Sequence, residues 1–471
     1  MIGRVAEGPI STDVLVIGGG AAGAMAALAA RERGLRVDLV RRAWASTALS
    51  SGTVDVAGDA LASPSLPLGA RHSIADCARY LASRRPDHPY AVLADRLPLL
   101  DEALAFASGR LGGLLQLAGA LDENRVFLSP LGLLKTAAGG LLSIAAGDLL
   151  EARGTIGIVG FDRHLQPDPH VLAMAAADSL AKAKIDASVE AVECDFLRRS
   201  DDPLLRPHEI AARIEAAPEQ LAASIERAIR GRAISRLLFP PVLSSGDASP
   251  ILRVLEGVLG IRCAELPAGA LSVPGVRLQR ALEDILSTQG VNLWHGDVFA
   301  DSEPGRVAAL ERLRVRGAVD QGLQVTDATP MVEPSGRPPG WPIDARAVVL
   351  ATGRFLGGGI RRNGRLRETV LDLPVWIDGR IDEGRWLGDL TRYELREDQP
   401  ALRAGLRFDA ALRPLLRDGR PASERLFACG DVLAGNDPAF DGAGLGLAFF
   451  TGWLAGLEAA KVATGETPEA G

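Results

Sequence analysis

Eleven residues near the start, Asp13-Val14-Leu15-Val16-Ile17-Gly18-Gly19-Gly20-Ala21-Ala22-Gly23, and the small-residue run Ala24–Ala30 behind them constrain the fold more tightly than any other part of the chain. An apolar run that breaks into glycines and then into an alanine-rich helical pattern reads as strand, tight turn and helix start. Gly18 permits the turn, Gly20 lets a phosphate group approach the backbone, and Gly23 lets helix and strand pack closely. Free N–H groups at the helix start, Ala22 among them, then face the phosphate. These are the mechanics of a dinucleotide-binding βαβ unit.

Context separates this turn from the others expected in a chain with 53 glycines. It follows a strand, opens a helix and leads through Gly34 to a second strand, Leu35–Val40. The acidic residue that normally ends the second strand and holds the ribose hydroxyls should fall near position 41. Arg41-Arg42 stands there instead. Three readings of that pair stay open: surface arginines, a contact to a 2′-phosphate, or a flavin that lacks the adenosine ribose.

A chain of 471 residues with 47% hydrophobic content holds two or three domains and a sizeable core. The formal charge of -7 provides no basic field, so nucleic acid is not expected as a partner. Lysine is almost absent and arginine replaces it throughout, which discounts arginine clusters as signs of a site. Cys77, Cys194, Cys263 and Cys429 are widely separated and form no C-x-x-C, which speaks against an iron–sulfur or zinc signature and for buried thiols in a reducing cytosol. The six histidines show no metal-ligand spacing, so no metal is assigned. Met1–Pro9 lacks a signal-peptide pattern. Neither Gly442–Leu457 nor Phe127–Leu149 reads as a membrane span, so any membrane association would run through a partner.

Read in order, the chain suggests an α/β, Rossmann-like flavoprotein fold with a parallel central sheet, a small β-meander and an inserted, mostly helical cap. Residues 1–60, 261–358 and 421–471 are expected to form the nucleotide domain, and 61–260 and 359–420 the cap. The hydroxyl-rich loop around Ser50, Ser51 and Gly52 suits contact with a cofactor's phosphates or ring, or is a plain surface loop. Val291–Trp294, Leu313–Arg316 and Leu323–Val325 read as strands, the last two as parts of the meander. Ala345–Leu350 reads as a strand returning to the nucleotide domain and ending in Ala351, Thr352 and Gly353, where small residues pass close to a ligand. Arg425–Ala428 is a strand leading to Gly430 and Asp431. Gly442, Ala443, Gly444 and Leu445 then open a helix whose N-terminus would face the electron-rich side of a flavin.

With these motifs in register, the chain resembles the fumarate reductase and succinate dehydrogenase flavoprotein superfamily. Arg41-Arg42 in place of the acid, Ser50–Asp55, Ser129–Thr136 and Ser272–Leu278 narrow the likeness to the B-subunit family of anaerobic glycerol-3-phosphate dehydrogenases. The resemblance implies a flavin, FMN first and FAD as the alternative. It further implies a catalytic FAD-bearing A subunit, an iron–sulfur C subunit leading to quinone, and a cytoplasmic or peripheral place on the inner face of the membrane. No catalytic residue carries over. A free-standing reductase acting on another small substrate, and a non-enzymatic flavin-bearing partner, remain as competing classes. With no carrier of its own beyond the flavin, the chain would need a docking surface for an iron–sulfur partner, and Leu111–Leu117 and Leu131–Leu142 are candidates unless those leucines are simply core.

Overall fold

The computed structural model describes residues 4–5, 8–58, 72–150, 152–162, 168–197, 204–269, 272–300, 309–317, 340–394, 397 and 399–466. At its centre lies a sheet in which six strands run parallel in the order Leu426–Ala428, Trp341–Leu350, Ile10–Ile17, Val37–Arg41, Asn292–Ala300 and Arg4–Val5. Leu313–Gly317 adds an antiparallel strand between the far half of Asn292–Ala300 and the start of Trp341–Leu350. The expected meander strand Leu323–Val325 lies outside the described residues.

A parallel sheet is covered on both faces and therefore selects near-continuous apolar strands. Val14–Ile17, Leu39–Val40 and Ala347–Leu350 are accordingly buried. The lead helix Ala21–Glu32 packs against the long C-terminal helix Leu445–Thr464, and small residues set how near they come. A Cβ on Gly452 would fall 2.2 Å from the Ala22 carbonyl oxygen, and one on Gly456 2.4 Å from that of Ala26. Leu445–Thr464 is long and apolar enough to cross a membrane, but two-thirds of that window is buried here against the sheet and the lead helix.

The insert differs from its expected boundaries at both ends. Helices Ile74–Arg84 and Leu100–Arg110 share the core of the central sheet, where Phe106 lies 6.4 Å from Trp453 and Arg96 pairs with Glu458 at 2.7 Å. At the other end the insert continues past residue 260 through the strand Arg262–Glu265. Helices predominate in it, yet they flank a four-stranded, wholly parallel sheet ordered Ala187–Cys194, Gly154–Phe161, Ile234–Phe239, Arg262–Glu265. Alternation along these strands feeds two cores: Ile156, Ile158 and Leu238 face one, while Val159, Phe161, Leu237 and Phe239 face the other. Residues 360–404 form two hairpins with a small core of their own around Leu366, Val375 and Ile377.

Candidate flavin site

The strand Ile10–Ile17 ends in Gly18, whose φ of +121° favours glycine, and a Cβ there would stand 2.1 Å from the Ala351 carbonyl oxygen. One on Gly23 would stand 2.0 Å from the Gly18 oxygen, so helix and turn are in direct contact. Gly20 is the N-cap of Ala21–Glu32 and has no side chain to satisfy the helix's first N–H groups. Thr47 Oγ1 accepts the first of them, from Ala21, at 2.9 Å. Those of Ala22 and Gly23 have no partner within the helix.

A cleft of about 640 Å³ opens over this turn, within the ~300–1,000 Å³ usual for cofactor sites. Gly18, Gly20 and Ala22 line its middle. Ser50, Ala351, Thr352 and Gly353 line it as well, and so do Gly430, Asp431, Gly444 and Leu445 at the C-terminal helix. In the other direction it runs past Arg41 to Arg42, Trp44 and the segment 296–298. Strand ends far apart in sequence thus converge on one groove, as expected where ligands bind at the carboxyl ends of parallel strands. Ser50 Oγ, Thr352 Oγ1 and Arg41 Nε are buried with no hydrogen-bond partner among the described residues, and their side chains belong to the residues that line this groove. Such orphaned groups suit a polar ligand in the cleft.

Five of the expected site residues stand behind the lining. Gly23 supports the turn from the helix side. Gly52, at φ +83°, faces Ile144 and Pro274, and Ser51 Oγ meets Thr53 Oγ1 at 2.7 Å. Gly442 ends the short helix Pro438–Asp441 in the left-handed conformation, and the Ala443 carbonyl accepts Asn436 Nδ2 at 3.0 Å.

Arg41 resolves differently from the surface reading. It is 4% exposed, and its guanidinium meets both carboxylate oxygens of Glu283, at 2.8 and 3.1 Å, with His295 Nε2 3.2 Å away. Gln279 Nε2, one helical turn before Glu283, donates at 2.9 Å both to Glu283 and to the Gly19 carbonyl. A carboxylate therefore does stand at the end of the second strand, delivered by the helix Val273–Thr288 and neutralised by Arg41. Arg42 is half-exposed and pairs with Asp297 at 3.1 Å.

The opening of the C-terminal helix rests on a second buried network that sequence reasoning missed. His88 Nδ1 accepts the Tyr90 N–H at 3.1 Å, which leaves Nε2 to donate to Asn436 Oδ1 at 3.2 Å, and Asn436 holds Ala443. Burial pushes the His88 pKa down to about 3, so this imidazole is a neutral strut. Arg354 Nη2 donates to the carbonyls of Asn436 and Leu433 at 2.9 and 3.3 Å. Burial lowers its pKa, against the opposing pull of Asp431, Asp437 and Asp441. No local pattern marks these residues, because each acts through a partner remote in sequence. All four cysteines are buried, and burial raises their pKa values, Cys77 to about 11. Among the described residues no His, Cys, Asp and Glu group could hold a metal.

A family model described as an FAD binding domain matches residues 13–447. The chain belongs to that family. It is a flavin-dependent oxidoreductase, with the flavin cradle just described. It is 30% identical to the B subunit of a probable anaerobic glycerol-3-phosphate dehydrogenase of Halobacterium salinarum, over 96% of this chain and 98% of that protein. It is 28% identical to the B subunit of the anaerobic glycerol-3-phosphate dehydrogenase of Yersinia pestis, over 92% and 95%. Among solved structures, the open conformation of a flavocytochrome c3 fumarate reductase is similar at a TM-score of 0.41 and 10% identity, over 96% of this chain and 79% of that one. The FMN favoured on resemblance finds no support in a match to an FAD binding domain.

Proposed function

We propose that the chain is the B subunit of an anaerobic sn-glycerol-3-phosphate dehydrogenase and binds FAD. In this reading it serves the oxidation of glycerol 3-phosphate to dihydroxyacetone phosphate. The observation that carries the proposal is end-to-end similarity to relatives of that name, joined to a cleft with the full set of cofactor motifs. FAD rather than FMN is supported by the extent of the cleft, which continues beyond the glycine turn to Trp44 and Val298 and leaves room for an adenosine arm.

The free N–H groups of Ala22 and Gly23 would hold the pyrophosphate, with the Ser50 hydroxyl beside it. Gly353 and Gly430, both at positive φ, keep side chains out of the ring end, and the N-terminus of Leu445–Thr464 favours negative charge there. The bound flavin would supply two-electron acceptance, which the side chains cannot.

Electrons must then leave the chain. Among the described residues there is no metal-binding group, and the four cysteines are buried apart from one another. This supports an iron–sulfur partner passing electrons to quinone, an FAD-bearing A subunit alongside it, and a peripheral place on the inner face of the cytoplasmic membrane through those partners.

The test is to denature the purified chain and identify the released flavin by mass. FAD is expected; FMN would overturn the FAD assignment, and no flavin would overturn the cofactor role. Co-purification of the tagged chain from its host should bring an iron–sulfur polypeptide with it. Full glycerol 3-phosphate oxidation with quinone reduction by this chain alone would overturn the partner assignment.

A further inference from the structure

Two of the stretches that carry the family likeness, Ser50–Asp55 and Ser129–Thr136, contribute only Ser50 to the cleft lining, yet the fold brings them together directly behind it. Lys135 Nζ lies 2.9 Å from Asp55 Oδ2 and 3.3 Å from Ser51 Oγ. Thr53 Oγ1 donates to Asp55 Oδ1 at 2.9 Å. The ion pair is only partly buried, with side-chain exposures of 23% for Lys135 and 16% for Asp55.

Its position is set by the backbone of Asp55, whose carbonyl accepts the N–H groups of both Gly444 and Gly446 at 3.0 Å. The Asp55 carboxylate stands 3.8 Å from where a Cβ on Gly444 would be, and Gly444 and Leu445 line the cleft. The pair is therefore fixed against the first turn of the 20-residue C-terminal helix, at the end of the cleft where the flavin ring is assigned. Lys135 is one of four lysines in a chain whose Lys+Arg total is 52, so the arginine drift that discounts other basic residues does not account for it.

We infer that Asp55 and Lys135 form a charge-tuning pair for the flavin. The inference rests on the flavin assignment above. The helix N-terminus carries roughly half a positive charge. Asp55 opposes that field from its first turn, and Lys135 restores it. Removing the ammonium leaves the Asp55 charge uncompensated beside the ring end, whereas removing the carboxylate leaves the ammonium and the helix unopposed. A pair that merely tied Thr53–Val54 to Leu134–Ala137 would produce no such opposition of sign.

The experiment uses the flavin-loaded chain and its Lys135→Met, Asp55→Asn and Lys135→Arg variants. Sulfite adds reversibly to an oxidised flavin and places negative charge on the ring system, so its dissociation constant reads the local field without turnover. Lys135→Met is expected to weaken sulfite binding on the order of tenfold, and Asp55→Asn to tighten it by a similar factor. A tenfold change corresponds to about 30 mV in a two-electron midpoint potential, lower for the first variant and higher for the second. Lys135→Arg, which keeps the charge, should remain near wild type. Variants that retain flavin but shift in the same direction, or do not shift, overturn the inference. A wild-type chain that carries no flavin instead overturns the cofactor assignment, so the two failures are distinguishable.

Discussion

Replacing Arg41 by methionine keeps most of the apolar length of the side chain and removes the partner of a buried carboxylate. Glu283 is 7% exposed, and without Arg41 it keeps the hydrogen bond from Gln279 Nε2 at 2.9 Å. Breaking a buried pair from one side costs about 3–5 kcal/mol, because the remaining charge is desolvated and unpaired. Protonating Glu283 relieves part of this, at about 1.4 kcal/mol for each unit its pKa must rise. The loss in Arg41→Met should therefore be largest in alkaline buffer and shrink on acidification. The double variant Arg41→Met/Glu283→Met removes both charges and should return to within about 1 kcal/mol of wild type. Urea unfolding of the flavin-free chain is the assay, since bound cofactor would add its own stabilisation. A single variant costing less than about 1 kcal/mol, or a double variant as unstable as the sum of the singles, would refute the coupling between strand end and helix.

Three further outcomes can be checked. Gly20→Leu should abolish flavin retention, since a Cβ at this position already lies 3.1 Å from Ala45 Cβ and 3.3 Å from Thr47 Oγ1 and a longer side chain must turn into the cleft; full occupancy measured by absorbance would remove the cradle reading. Glu368 is buried and its pKa is raised from 4.5 to about 7 by desolvation, so the folded chain holds a proton that the unfolded chain releases; stability should fall by about 3 kcal/mol as pH rises from below 4.5 to above 7, and urea midpoints of Glu368→Gln should lack that slope. Anaerobic rapid mixing with NADPH should leave the flavin absorbance unchanged, because the sequence carries one glycine cradle and Arg41 is committed to Glu283; bleaching at catalytic rates would be the contrary result.

The glycine turn, the return strand to Leu350 and the opening of the C-terminal helix were legible in the sequence because each has a local cause. Gly18 and Gly23 are fixed by contacts a few residues away or across one neighbouring strand. The limits of the insert were not legible. An amphipathic helix such as Leu100–Arg110 shows an apolar face whichever core it joins, and only the approach of Phe106 to Trp453 assigns it to the central sheet. The insert's parallel sheet was similarly hidden. Its edge strand Ala187–Cys194 carries Ser188, Glu190 and Glu193 and reads as weakly apolar, while Arg262–Glu265 is too short to stand out. The docking candidates divide for the same reason: Leu111 and Leu115 are core, whereas Leu131 and Leu133 are exposed.

Position 41 shows where a local rule gives way to a physical one. The rule concerns which side chain ends the second strand, whereas the physics requires only that charge buried at that end be balanced. Here the acid arrives from Glu283, 242 residues further on, and the strand supplies the base. Because Arg41 engages both Glu283 oxygens, that carboxylate is no longer free to accept two ribose hydroxyls in the usual way. Affinity for an adenosine arm must then come chiefly from the N–H groups of the turn and from the walls at Trp44 and Val298. The arginine thus does not mark a second nucleotide specificity. It shifts the work of holding the cofactor from the ribose to the phosphates, which is why disruption at Gly20 should be more damaging to flavin binding than any neutral substitution at Trp44.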